Sequence, residues 1–255
     1  MAVSSVPLAV FQEHVRQIEL GIRFIYAAGA VRRCVFEVVN WESGQRHALD
    51  EIRRFHEVGE YPERQHCNAN FLSLVAGFEE FLCRSLEAAI LAKARRVKTF
   101  DELGAPVHDL HMKATGYLLT QKAKPPQQLQ SLDFFQLCRN IGTCFPGSTS
   151  FELNPEAISV QSNLLDLESF IETLGKFGYR ITWDILGGDQ RVKDFMGIQG
   201  TREAGKLLRQ FLADMVRNRN RVAHTGSASD ITPDVLTEYL NRLRLLAQAI
   251  SDSLG

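Results

Sequence analysis

The chain is short of cysteine, and the five it has (Cys34, Cys67, Cys83, Cys138 and Cys144) are odd in number, scattered and without a C-x-x-C pair. That spacing supplies neither a disulfide framework nor a thiolate zinc cage, and the expectation is reduced thiols in a cytoplasmic protein. An excess of charge is missing too: 29 basic residues against 30 acidic ones give a formal net charge of -1 over 255 residues. No global positive field recruits nucleic acid, so any such contact rests on a local patch. Long apolar runs are also absent. The N-terminal stretch has no basic region ahead of an apolar one, and the stretch from Leu20 to Val39 is interrupted by Arg23, Arg32 and Arg33. Neither a secretion signal nor a membrane span is expected. Missing as well are a glycine-rich phosphate loop, a dinucleotide fingerprint, internal repeats, low-complexity tracts and the alternation of an amphipathic strand.

What remains is helical periodicity in a chain that is 45% hydrophobic, enough apolar material for a real core. An amphipathic pattern from about Pro7 to Val39 predicts a helix, Asn40 to Gly44 a turn, and a further polar helix reaches about Val58. From Glu63 a long helix carries Phe71, Leu74, Val75, Phe78, Leu82 and Leu86 at spacings of three and four, a stripe down one side. Two proline-containing stretches, Ala123 to Gln128 and Cys144 to Ser150, read as loops. Asn154-Pro155 reads as a helix start, and Leu164 to Phe177 as another helix. Thr201 is placed to cap a helix bearing Leu208, Phe211, Leu212 and Met215 that ends at Thr225-Gly226-Ser227. Thr232-Pro233-Asp234 opens a terminal helix bearing Leu236, Tyr239, Leu240, Leu243, Leu246, Ala247 and Ile250. Two long helices joined by a short loop pack as an antiparallel pair, and the expected architecture is an all-α bundle.

One residue breaks the pattern. At about 100° per residue, Leu208, Leu212, Met215 and Val222 share a narrow sector of their helix, and Arg219 falls inside it. A guanidinium cannot shed its proton to escape an apolar setting. It needs an ion pair, with Glu79 or Glu80 as candidates, a stem that snorkels at the bundle edge, or a cleft that admits an anion. Around it runs Val216-Arg217-Asn218-Arg219-Asn220-Arg221-Val222-Ala223-His224-Thr225-Gly226, with a histidine five positions after the arginine. Other histidines are weaker candidates. His108 and His111 stand three apart without a third ligand at a recognised spacing, and His66 and Cys67 are adjacent, so they do not face each other on a helix. No metal site is expected.

The run from Arg219 to His224 resembles the R-x4-H signature of HEPN ribonucleases, with asparagine after the arginine. The segment from Phe71 to Leu82 is similar to that family's first bundle helix, and Ser159 through Phe177-Gly178-Tyr179 to Trp183 resembles the insert of the RiboL-PSP-type HEPN branch. The resemblance covers about Glu63 to Leu254. It implies a HEPN-type antiparallel bundle over residues 63–255, with residues 1–62 as an N-terminal helical extension and additional inserted helices. It further implies metal-independent RNA cleavage without a cofactor, with Arg219, Asn220 and His224 catalytic and Arg217 and Arg221 holding flanking phosphates. An acidic residue of the first bundle helix, Glu79 or Glu80, sometimes joins such a site. The implied partners are an RNA substrate, a second copy in a homodimer and an antitoxin protein, in a toxin-antitoxin or antiphage setting. A catalytically silent RNA- or protein-binding module and a purely structural adaptor remain as other readings.

The geometry carries one difficulty. Five residues on an ideal helix rotate by about 140°, so Arg219 and His224 diverge whereas Asn220 and His224 share a face. Either the last turn unwinds before Gly226, or two subunits complete each site. Arg217, two turns from His224, offers an alternative pair at the looser R-x6-H spacing.

Overall fold

The computed structural model describes residues 5–33, 63–121, 133–162, 166–225 and 231–255. Among these there are ten α-helices and one short 3-10 helix, with no strand. Helix α1 spans Ser5–Arg33 and α2 Glu63–Ala94. After the 3-10 turn Phe100–Leu103 come α3 (Ala105–Thr120), α4 (Phe134–Thr143), α5 (Pro155–Gln161) and α6 (Leu167–Lys176). The short helices α7 (Trp183–Gly188) and α8 (Gln190–Met196) precede the long pair α9 (Thr201–Thr225) and α10 (Pro233–Leu254). The turn expected at Asn40 to Gly44, the polar helix to Val58 and the loop Ala123 to Gln128 lie outside the described residues.

Helix α2 is the centre of the bundle. It touches α1, α5, α6, α9 and α10, and its burial is accordingly wider than a single stripe. Phe71, Leu74, Val75, Phe78, Leu82 and Leu86 are buried, and so are Phe81, Ser85, Ala89 and Ile90. A helix surrounded by neighbours loses the polar face that makes periodicity easy to read. Helix α1 runs antiparallel to α2, as the neighbouring pairs His14 with Gly77 and Gly21 with Asn70 establish. Phe11 packs its ring against Phe78 and Phe81 at 5.8 and 5.5 Å. Arg244 of α10 also pairs with Glu19 of α1, so α1 is joined to both α2 and α10.

The start signals are realised in different ways. Thr232 caps α10 as expected, its hydroxyl accepting from the Val235 N–H at 3.2 Å. Asp166 caps α6 by accepting from Glu168 N–H. Asn154 precedes α5 without capping it. Its amide instead donates to the Thr115 hydroxyl and the Leu137 carbonyl and lies 2.9 Å from the Asn140 amide, while its backbone N–H donates to His111 Nε2 at 3.0 Å. That buried polar knot joins α3, α4 and α5 where water is excluded, and leaves His111 Nδ1 buried without a partner among the described residues. Helix α9 begins at Thr201 itself, and the Gly200 carbonyl accepts from Ala204 at 2.9 Å, so Thr201 stands inside the helix rather than at its cap. Its first turns cross α7 backbone to backbone. A Cβ on Gly187 would stand 2.4 Å from the Gly205 nitrogen, and one on Gly205 would stand 2.6 Å from the Trp183 carbonyl oxygen. Only glycine permits that approach.

Candidate functional site

Helices α9 and α10 run antiparallel. Tyr239 receives a hydrogen bond from Asn218 Nδ2 at 2.8 Å, while one turn further along α10 the Arg242 guanidinium sits 5.0 Å over the Phe211 ring. Tyr239 is the joint of this end of the bundle, with its ring against Phe71 of α2 and Phe211 of α9 at 4.9 and 5.4 Å. Burial pushes its phenol above the usual range, against the smaller opposite effect of the Asn218 bond. Its hydroxyl therefore stays protonated and anchors Asn218, the residue immediately before Arg219. Sequence reading placed Tyr239 in the core stripe and missed this role. The available signal was a phenol within an otherwise aliphatic stripe, since a buried hydroxyl requires a partner.

The motif occupies the last two turns of α9, which is α-helical through Thr225. The turn does not unwind before that residue, so within one chain Arg219 and His224 project about 140° apart. Met215 and Val222, on the sector of Arg219, are buried at 0% and 4% exposure, whereas Arg219 is half-buried. Its Nη1 donates to Asn220 Oδ1 at 3.1 Å, and among the described residues no carboxylate lies within ion-pairing distance of it. The candidate partner Glu80 is engaged with Arg84 at 2.7 Å. A half-buried cation with only a neutral acceptor retains its attraction for an incoming anion.

The other motif residues are arranged unequally. Asn220 is exposed and bonded to Arg219, so its side chain is turned toward the arginine. His224 is exposed, and among the described residues nothing hydrogen-bonds its ring. Arg217 is ion-paired with Asp214, one turn earlier on the same helix, which draws part of its charge away from the surface near His224. Arg221 is exposed and donates to Asn218 Oδ1 at 3.2 Å.

A family model for RiboL-PSP-HEPN matches residues 46–255. The chain belongs to the RiboL-PSP-HEPN family. The match extends upstream of Glu63 and leaves all of α1 outside it. No curated protein and no solved structure matches the chain. Within this HEPN chain, the run from Arg219 to His224 stands on α9, beside the terminal helix α10. The remaining polar candidates have structural uses. His108 donates to the Phe100 carbonyl at 2.8 Å and stacks on that ring, and His111 belongs to the buried knot. Cys67 is buried, and burial followed by Glu63 pushes its thiol up to about 11, far from a nucleophilic thiolate. Among the described residues, no three His, Cys, Asp or Glu side chains are grouped to hold a metal ion, and no helix is long and apolar enough to cross a membrane.

Proposed function

We propose that this HEPN protein is an endoribonuclease that cleaves RNA without a metal ion. The observation that carries the reading is Arg219, a cation on the inward sector of α9 with no carboxylate partner among the described residues, in the same motif as an imidazole whose ring makes no hydrogen bond among those residues. The ribose 2′-oxygen attacks phosphorus, the bond from phosphorus to the 5′-oxygen breaks, and a 2′,3′-cyclic phosphate and a 5′-hydroxyl result. Imidazole exchanges protons near neutral pH, so His224 takes the 2′-hydroxyl proton or delivers one to the departing 5′-oxygen. Arg219 donates to the non-bridging oxygens, where charge is greatest in the pentacovalent transition state. Asn220 holds the guanidinium in place, and Arg217 and Arg221 grip flanking phosphates.

The rotation between Arg219 and His224 favours a site shared by two copies related by a two-fold axis, each helix end supplying what the other cannot aim. The residues ahead of the family match, α1 among them, form an extension to the HEPN domain. The biological setting we infer is a toxin or antiphage effector restrained by a protein partner. Purified protein should cleave RNA in EDTA, leave 2′,3′-cyclic phosphate ends, and lose at least about 100-fold in rate on His224→Ala, as removal of a general base does. Cleavage that requires a divalent ion rejects the mechanism, and RNA binding without cleavage favours a silent binding module.

A further inference from the structure

Beside the motif, α8, α9 and α10 enclose a cleft of about 400 Å³, within the size range of small-molecule sites. Its walls include Phe195 of α8, Phe211 and Asp214 of α9, and Glu238, Tyr239 and Arg242 of α10. Two contacts join it to the motif: Asp214 pairs with Arg217, and Tyr239 accepts from Asn218. We propose that this cleft is a nucleobase subsite that receives one base of the RNA strand and prefers a base carrying an amino group over uracil. The inference rests on the ribonuclease reading above for the strand's presence, and its chemistry comes from the cleft.

The lining favours a flat, neutral guest with polar edges. Phe195 is 42% exposed, an aromatic face at the lip with no burial to explain it. The Arg242 guanidinium already lies over Phe211, and Arg242 Nε is buried without a hydrogen-bond acceptor. Aromatic rings and guanidinium planes are the surfaces on which unstacked RNA bases settle. Asp214 is paired with Arg217 and Glu238 with Arg242, so the cleft walls are close to neutral and suit a base better than a phosphate, which stays outside with the arginines of the motif. The same carboxylates accept from the exocyclic amino groups of adenine, cytosine or guanine, and uracil has none. The ten residues from Asp214 to His224 span about 15 Å of helix, so the selected base lies a few nucleotides along the strand from the scissile phosphate. One wall comes from α8, which gives that short helix of the chain a part in substrate choice.

The test uses the full chain carrying His224→Ala, which does not consume its ligand, and fluorescein-labelled RNA tetramers of adenosine or uridine. The adenosine tetramer should bind at least about fivefold more tightly, the lower end of what one stacked base contributes. Adding Phe195→Ala should bring the two within twofold, while Phe195→Trp should keep the preference. Phe195 is exposed, so truncation spares the fold. Equal binding of the two tetramers by the parent, or an unchanged ratio with Phe195→Ala, overturns the subsite and leaves the cleft to a protein partner. Sequencing of ends cut by wild-type chain separates the two readings. Base preference in binding without cleavage removes the nuclease and keeps the subsite, whereas cleavage without base preference removes the subsite and keeps the nuclease.

Discussion

Arg219 and Arg217 differ in what surrounds them, and that difference predicts unequal roles. Arg217 is ion-paired with Asp214 at the surface, where an exposed pair contributes little to stability and shares the charge that Arg217 offers a flanking phosphate. Among the described residues, Arg219 has only the Asn220 amide oxygen. Arg219→Ala should lower RNA cleavage by about 100-fold or more, in line with loss of a transition-state donor, and Arg217→Ala by less than about tenfold. Neither should shift the melting temperature by more than a degree or two, because neither deletion strands a buried charge. Equal effects of the two variants would assign the catalytic arginine wrongly. A second residue-scale prediction concerns His111. Burial first, and His108 second, lower its pKa to about 4, so it stays neutral as the acceptor of the Asn154 N–H. Below the ordinary histidine range of about 6.5 the unfolded chain binds a proton that the folded chain refuses until about pH 4. Stability therefore falls as pH falls through that window, by about 3 kcal/mol in all. Urea midpoints measured from pH 7 to pH 4 should show this slope, and His111→Gln should flatten it.

At the scale of elements, the close crossing of α7 and α9 is the most sensitive joint. The Cβ of Gly205→Ala would stand 2.6 Å from a backbone oxygen, with no flexible side chain to give way. The helices must separate, and overpacking of this kind costs about 1–3 kcal/mol. Gly188→Ala, one turn-end away, meets only the Thr201 methyl at 3.5 Å and should be neutral or slightly stabilising. Calorimetry of the two variants measures the difference, and an undisturbed Gly205→Ala would refute the crossing. The element scale also explains what periodicity left out. Every residue expected on the α10 stripe is buried, with Ala249 and Leu254 beside them, because one face of that helix is solvated, whereas Phe81, Ala89 and Ile90 on α2 fell outside the expected stripe because five neighbours surround that helix.

For the molecule as a whole, the unbroken α9 makes a testable demand. If two copies share a site, Arg219→Ala and His224→Ala chains, each inactive alone, should regain activity when mixed. Random association places half the chains in mixed dimers, where one of two composite sites is intact, so about a quarter of wild-type activity is expected for a two-fold assembly. Light scattering should give twice the chain mass at assay concentration. A fully active monomer, or mixtures that stay inactive, would restrict the chemistry to one chain.

The fold class and the motif were legible in the residues themselves, because both are local. Helical spacing, the Thr232-Pro233 start and the inward position of Arg219 depend only on rotation along one helix. Tertiary structure decided the partners. It turned Asn154 away from its helix end into a buried knot with His111, bound Asn220 to Arg219, tied Arg217 to Asp214, and placed Tyr239 beneath Asn218. It also brought Phe195, Phe211 and Arg242 around one cleft from three separate helices. A polar side chain's partner depends on which donors and acceptors neighbouring helices present once water is excluded, and one helix's sequence does not encode that choice.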